Sequence, residues 1–371
     1  GDAEDQALRG PGTKADYRPW TDTLDKYGDR PLDWGKSIIP FPWANYETDI
    51  GVLLGAGVRF EGYGFRARPY RHRHTLKLEY ATEVPGMRAQ YEGRLQRRSS
   101  RVYGQLLGQV SEIEVVRFYG FGNEIAAPLP TAYYLIDQTQ HLLNPSLVVP
   151  RGPVQLSLGA LVKHSDTRRA AGRFVSVVQP YGWQDYTQVG GQLGIEYDTR
   201  EPKNAARRGA LLRVGGTAYP AALDVRKAFA EGHGEAAAHL PLLGPLTLSL
   251  RVGGQRIWGE YPFHEAAFLG GSRSVRGMAR HRYAGDASLF GNSELRLRLG
   301  SVPAAIPGDL GIFVLADAGR TFLAGETSDR WHTGLGGGLW LAFRDGRNVV
   351  SFTTAVSEKR TGVYLKGALA F

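Results

Sequence analysis

The 371-residue chain contains no cysteine, which excludes a disulfide scaffold, thiol catalysis and zinc–thiolate sites. It has only two methionines, and nine lysines set against 36 arginines. Long hydrophobic runs are missing too. The longest nearly uncharged apolar stretch, Ala236–Leu250, is broken by Pro241, Gly244 and Pro245, whereas a spanning helix needs roughly 20 continuous apolar residues. Gly1–Gly10 shows no signal peptide, so the chain reads as a mature form or an excised C-terminal part. No basic run lies on a helical pattern, so the formal charge of +9 does not point to nucleic acid. An anionic membrane surface or a charged lumen also suits a basic excess.

What the chain does have is glycine, 49 residues, with 18 Tyr, 15 Phe and 7 Trp. Glycine-rich, aromatic-rich composition without a collagen period suits many short strands and turns. The dominant pattern is alternation. Met87, Ala89, Tyr91, Gly93 and Leu95 fall on one face, and Arg88, Gln90, Glu92, Arg94 and Gln96 on the other. Val154–Lys163, Leu193–Asp198, Leu246–Arg251 and Glu294–Leu299 repeat the scheme. Period two is the strand signature. The polar faces carry Arg, Glu, Gln and Lys on strand after strand, which a water-filled lumen accepts while the other face meets lipid.

Fifteen such segments run from 48–60 to 361–371, among them 101–118 and 131–148. Bacterial barrels close with even numbers, short turns on the periplasmic side and long loops outside. Alternating sides back from the short turns 150–153, 242–245 and 345–347 puts the missing strand at Ser37–Trp43. Its two prolines are tolerated only on an edge or at a seam, so this first strand is expected to pair poorly with the last. The expected fold is therefore all-β: a 16-stranded antiparallel transmembrane β-barrel over 35–371, behind a polar linker at 1–34. Val363, Leu365, Gly367, Leu369 and Phe371 share one face, which places Phe371 on the lipid side as an aromatic signal for the barrel assembly machinery. Trp43, Trp258, Trp331 and Trp340 lie near strand ends or on outer faces, and headgroup depth is expected for them.

The most informative segment is Leu269-Gly-Gly-Ser-Arg-Ser-Val-Arg-Gly-Met278, followed by Tyr283-Ala-Gly-Asp286, Gly291-Asn-Ser-Glu-Leu-Arg296 and Phe313-Val-Leu-Ala-Asp-Ala-Gly-Arg320. The ordered set resembles the signature loop and final strands of the BamA/TpsB superfamily of outer-membrane barrels, the bacterial surface antigen family. Asp198-Thr-Arg200 with Arg208-Gly209 is similar to the strand pair before that block. Phe118-Tyr-Gly-Phe-Gly-Asn123 looks like a subset whose barrels lie behind phosphoesterase-type domains.

Read from the residues alone, the stretch 259–285 exceeds the roughly 12–15 residues above which structureless loops are usually functional. Glycines at Gly270, Gly271 and Gly277 let its backbone come close to other backbone. Arg276 away from bulk water needs a carboxylate, and Glu294 and Asp317 lie on the next two strands. Taken alone, these residues favour an ordinary lumenal charge network. The resemblance implies the sharper arrangement, in which the loop folds into the lumen and Arg276 bonds Glu294 and Asp317. It also makes Val275, Gly277 and Met278 motif positions, with Met278 standing where the family has an aromatic. Asp317 shares its face with Phe313 and Leu315, which requires a bulge or apolar residues in the lumen.

Other signals are weak. His264-Glu265 lacks the second histidine of a zinc motif. Arg71-His-Arg-His74 reads as a solvated turn. Gly334–Gly338 lacks the helix of a dinucleotide loop and reads as a strand bend. No catalytic residue, metal or cofactor is assigned.

The resemblance implies a bacterial outer-membrane barrel that moves or inserts a polypeptide client or a fused passenger. Its partners would be outer-membrane lipids, the assembly machinery and that client. Family members carry periplasmic POTRA domains, and the 34 residues before the barrel are too few for one. Two alternatives follow: a membrane anchor or exporter for an upstream enzyme domain, and a passive, anion-leaning small-solute channel.

Overall fold

The computed structural model describes residues 34–371 except 66, 99, 304–306, 344, 345 and 347. The linker expected over 1–34 lies, apart from Trp34, outside the described residues. The first strands are β1 (Lys36–Glu47), β2 (Gly51–Gly64), β3 (Ala67–Ala81), β4 (Gly86–Gln96), β5 (Tyr103–Ser111) and β6 (Gln138–Arg151). Then come β7 (Val154–Thr167), β8 (Tyr186–Asp198), β9 (Gly209–Tyr219), β10 (Phe229–Pro241) and β11 (Leu246–Trp258). Two short strands, β12 (Ala267–Leu269) and β13 (Tyr283–Gly285), pair with each other as a separate sheet. The series ends with β14 (Ala287–Val302), β15 (Gly308–Phe322), β16 (His332–Phe343), β17 (Asn348–Ser357) and β18 (Arg360–Lys366). Leaving out β12 and β13, sixteen strands form one closed antiparallel barrel, with β11 bonded directly to β14 and β18 to β1.

Alternation builds the wall. On β15, Val314 is 61% exposed on the outer face, while Phe313, Leu315 and Asp317 are buried on the inner one. No register shift separates Asn292↔Asp317 from Arg296↔Phe313; the shift in this pair comes later, between Arg298 and Gly300. Apolar residues in the lumen, rather than a bulge, therefore let Asp317 share a face with Phe313 and Leu315. Closure satisfies backbone groups that lipid could not hydrate. Pro145 in β6 has no N–H to give, and the neighbouring Asn144 side chain donates to Ala160 O at 2.6 Å.

Several sequence expectations need correction. β5 stops at Ser111 and β6 begins at Gln138, so 112–118 and 131–137 are not strand. Their apolar residues meet protein rather than lipid: Val115, Phe118 and Ile136 pack with Val175, Phe263, Ala266 and Ala284 at the long-loop end. Arg71–His74 lies in β3, not in a turn. His72 stacks on Phe60, and His74 Nδ1 lies 2.7 Å from the Tyr91 hydroxyl. Trp43 points inward, donating to Glu79 at 3.1 Å, and Trp340 is buried with Phe313 and Leu315. Trp258 and Trp331 are the outer pair, each about half exposed.

The seam is thin. All of β1 pairs with β2, whereas only Tyr46 and Glu47 pair with Leu365 and Tyr364 of β18. Phe371 is not on the lipid side. β18 ends at Lys366, and the following residues turn inward. Phe371 is buried with Leu211 and Ala237, beneath the guanidinium groups of Arg251 and Arg296.

Candidate functional site

Residues 259–286 connect β11 to β14. The chain leaves Trp258, makes a single 3₁₀ turn at Phe263–Glu265, and pairs β12 with β13 as a ribbon. Between the two ribbon strands, residues 270–282 reach the inner wall. There β14 presents Asn292, Glu294 and Arg296, and β15 presents Asp317, all buried.

Arg276 is the centre of the contact. Its Nε and Nη2 donate to the two oxygens of Asp317, each at 2.7 Å, and its backbone N–H donates to the same carboxylate at 3.0 Å. Its Nη1 donates to Glu294. The second Glu294 oxygen accepts from Arg296 Nε at 2.8 Å. The planar fork of guanidinium can serve two carboxylates at once, which an ammonium cannot. Arg276 is 3% exposed and Glu294 1%, so the two arginines and two carboxylates balance their charge inside the protein.

The glycines have separate tasks. Gly277 adopts φ +90°, and a Cβ there would lie 2.7 Å from Ser357 N; its own N–H donates to the Tyr364 hydroxyl at 2.9 Å. Gly334 on β16 clears the way for the loop, since a Cβ there would sit 2.2 Å from Arg276 O. The next glycines of β16 face neighbouring strands instead, Gly336 against Thr354 O and Gly338 against Phe352 O and the Phe313 ring. At the turn, Gly270 N–H donates to Ser274 Oγ at 2.8 Å. Gly271, at φ +87°, lies against Arg280. Val275 and Met278 are buried with Leu269 and Tyr283, so the methionine fills an apolar slot.

Sequence reasoning named Arg276, Glu294 and Asp317, and the structure brings these three together. It missed Asn292, whose side chain donates to Ser274 O at 2.6 Å, and Arg251, which donates to Arg273 O at 2.5 Å. Asn292 and Arg296 share the polar face of Glu294, so alternation could have found them. It also missed the contact with the seam. Ser272 Oγ donates to Glu47 of β1 at 3.0 Å and accepts from Lys366 of β18 at 2.6 Å, and Glu47 and Lys366 pair at 2.8 Å. Nothing local in the sequence links residues so far apart.

The rest of the loop is held by buried polar groups. Glu265 accepts from Lys163 at 2.5 Å and from Gln188 at 2.7 Å. Burial works against its ionised form, but Lys163 outweighs this and holds the carboxyl below its usual range. His264 beside it is pushed down to about 3 by burial. In the turn between β17 and β18, the hydrogen bond with His332 holds Glu358 below the usual carboxylate range, and Tyr283 of β13 donates to the same group. The segment Phe118–Asn123 also belongs here. Asn123 accepts from Thr321 N at 2.9 Å and donates to Ser328 Oγ at 2.8 Å and to Arg330 O at 2.9 Å. Gly122 bridges Ala284 of β13. The early loop and the later one are therefore one packed unit.

No family model matches the chain, and no curated protein does. Solved structures do. BamA from Haemophilus ducreyi lacking POTRA domains 1–3 superposes with a TM-score of 0.65 at 14% identity, over 90% of this chain and 70% of that one. The chain has the BamA–CdiB barrel fold. CdiB from Escherichia coli gives a TM-score of 0.59 at 13% identity, over 91% of this chain and 63% of that one. CdiB from Acinetobacter baumannii gives 0.54 at 15% identity, over 89% and 59%. The chain thus spans less than two thirds of either CdiB chain. Sixteen strands with an apolar outer face and a charged inner one make this BamA–CdiB-like barrel a transmembrane structure of outer-membrane type.

Proposed function

We propose that the chain is the membrane barrel of a polypeptide-transport or insertion system of the bacterial outer membrane. It moves or inserts a client or a fused passenger, and residues 259–285 form a lumenal lock. The observation that carries this reading is Arg276, buried between Glu294 and Asp317 in a barrel of BamA–CdiB fold. A loop pinned to the inner wall narrows the path open to free diffusion. The thin β1–β18 pairing, to which Ser272 of the same loop is bonded, places a weak line in the wall beside the lock.

The test compares the surface and secreted polypeptides of cells that lack the chain with cells given back either the parent or Arg276→Ala. The reading expects a defined polypeptide to disappear and to return with the parent. An unchanged polypeptide profile with altered permeability to small anions would favour the channel instead. The anchor reading rests on the Phe118–Asn123 segment and expects the affected polypeptide to be an enzyme domain joined to this barrel.

A further inference from the structure

The strand at the seam contains Pro40 and Pro42, and their direction decides what the edge can bind. Thr48 N–H donates to Val363 O at 3.2 Å. β1 pairs with β2 without a register shift, so the backbone groups of its even-numbered residues all turn toward β18, and those of the odd-numbered ones toward β2. Continuing the observed Tyr46↔Leu365 register would set Ala44 opposite Gly367, Pro42 opposite Leu369 and Pro40 opposite Phe371. At the last two places the donor required of β1 belongs to a proline, which has none.

The opposite segment behaves accordingly. Its last ladder residue is Lys366. Gly367 N–H turns to the Asn45 side chain at 3.1 Å. Leu369 joins Phe313, Leu315 and Trp340 on the inner wall, and Phe371 lies under Arg251 and Arg296. Among the described residues, the outer edge of β1 from Lys36 to Asn45 is left unpaired, with no backbone donor toward the seam between Ile38 and Ala44. Hydrocarbon supplies no water to replace the missing bonds.

We infer that Pro40 and Pro42 guard this edge. They hold the short-turn half of the seam unzipped and refuse any β-strand partner, whether a client strand or a second copy of the chain. The inference deepens the transport reading and rests on it for the class of cargo. A polypeptide handled here crosses as an unpaired chain instead of being templated strand by strand onto β1.

Because the chain has no cysteine, a single spin label at Leu369→Cys reports the segment directly. In the parent, the label should sense the lumen, with collisions dominated by a water-soluble nickel relaxer. With Pro40→Thr and Pro42→Thr added, it should move to the lipid face, with oxygen collisions dominating. Pro42→Thr alone should shift it part-way if the double variant does not fold, as judged by heat-modified gel migration. A label that stays in the lumen of a folded double variant overturns the inference. So does saturable binding of a fluorescent peptide of residues 360–371 to the parent barrel with protection of the Ile38 and Ala44 amides, the two that flank the prolines and face the seam. Neither measurement involves transport, so a barrel that refuses strands yet moves no client would sink the functional reading and leave this one standing.

Discussion

Arg276 concentrates most of what a single side chain does here. Removing one member of a buried, hydrogen-bonded charge set leaves the others uncompensated, at a cost of about 3–5 kcal/mol. Arg276→Ala should therefore lower hydrogen-exchange protection across residues 270–282 by about that amount, while heat-modified migration shows the barrel intact. Arg276→Lys should recover only part, because it loses the fork. Unchanged protection in Arg276→Ala would mean that the loop is held without Arg276, by its apolar contacts, the ribbon and the bonds to Asn292, Tyr364, Glu47 and Lys366. Gly334→Ala should loosen the same residues without touching any charge, since its Cβ would collide with Arg276 O. His264 gives a pH dependence. Its folded pKa is about 3, depressed by burial, against about 6.5 when exposed. The closed loop thus binds fewer protons than the opened one between those values, and stability rises with pH there. Protection of residues 259–266 should be flat above pH 6.5 and fall as pH drops below it, by up to about tenfold per pH unit. The depressed Glu265 acts in the same direction, losing its contribution as pH falls. Exchange that is insensitive to pH 4–6.5, once corrected for intrinsic rates, would show that this segment does not open as a unit.

At the scale of elements, faces decide. Brominated lipids should quench Trp258 and Trp331, about half exposed, and spare Trp43 and Trp340, whose rings lie inside. Single-tryptophan variants would show it, and strong quenching of Trp43 would place β1 with the opposite face outward. The even strand number with the turn lengths placed β1 despite its prolines, and alternation identified most other strands from sequence. It failed at 112–118 and 131–137 because a period of two does not say what the apolar side meets. Val115, Phe118 and Ile136 are buried by loops that arrive from 174–178 and 259–286. It also misplaced Phe371. The pattern Val363, Leu365, Gly367, Leu369 suits the outer face, but a strand needs a partner as well as a pattern.

For the whole molecule, the loop unit matters more than the girth. Sixteen strands in porins leave a water channel, but here residues 270–282 are bonded to the inner wall from β14 to β18. Planar-bilayer recordings should give small or flickering currents, and deletion of Gly270–Ala279 should raise conductance sharply. Large, steady openings in the parent would return the molecule to the channel reading.

The sequence by itself determined the wall: period two, the polar inner face, and Glu294 and Asp317 upon it, because side-chain direction along a strand is a local property of the backbone, whereas Arg276 as their partner was legible only through the resemblance of its loop motif. Tertiary structure alone decided which distant groups meet. Ser272 bonds Glu47 across 225 positions of chain, and Asn123 bonds Thr321 across 198. Such contacts depend on barrel closure and loop packing, which bring together segments whose separate patterns carry no record of each other. Closure also left Pro40 and Pro42 without a ladder to β18, which ends at Lys366 before its chain turns inward.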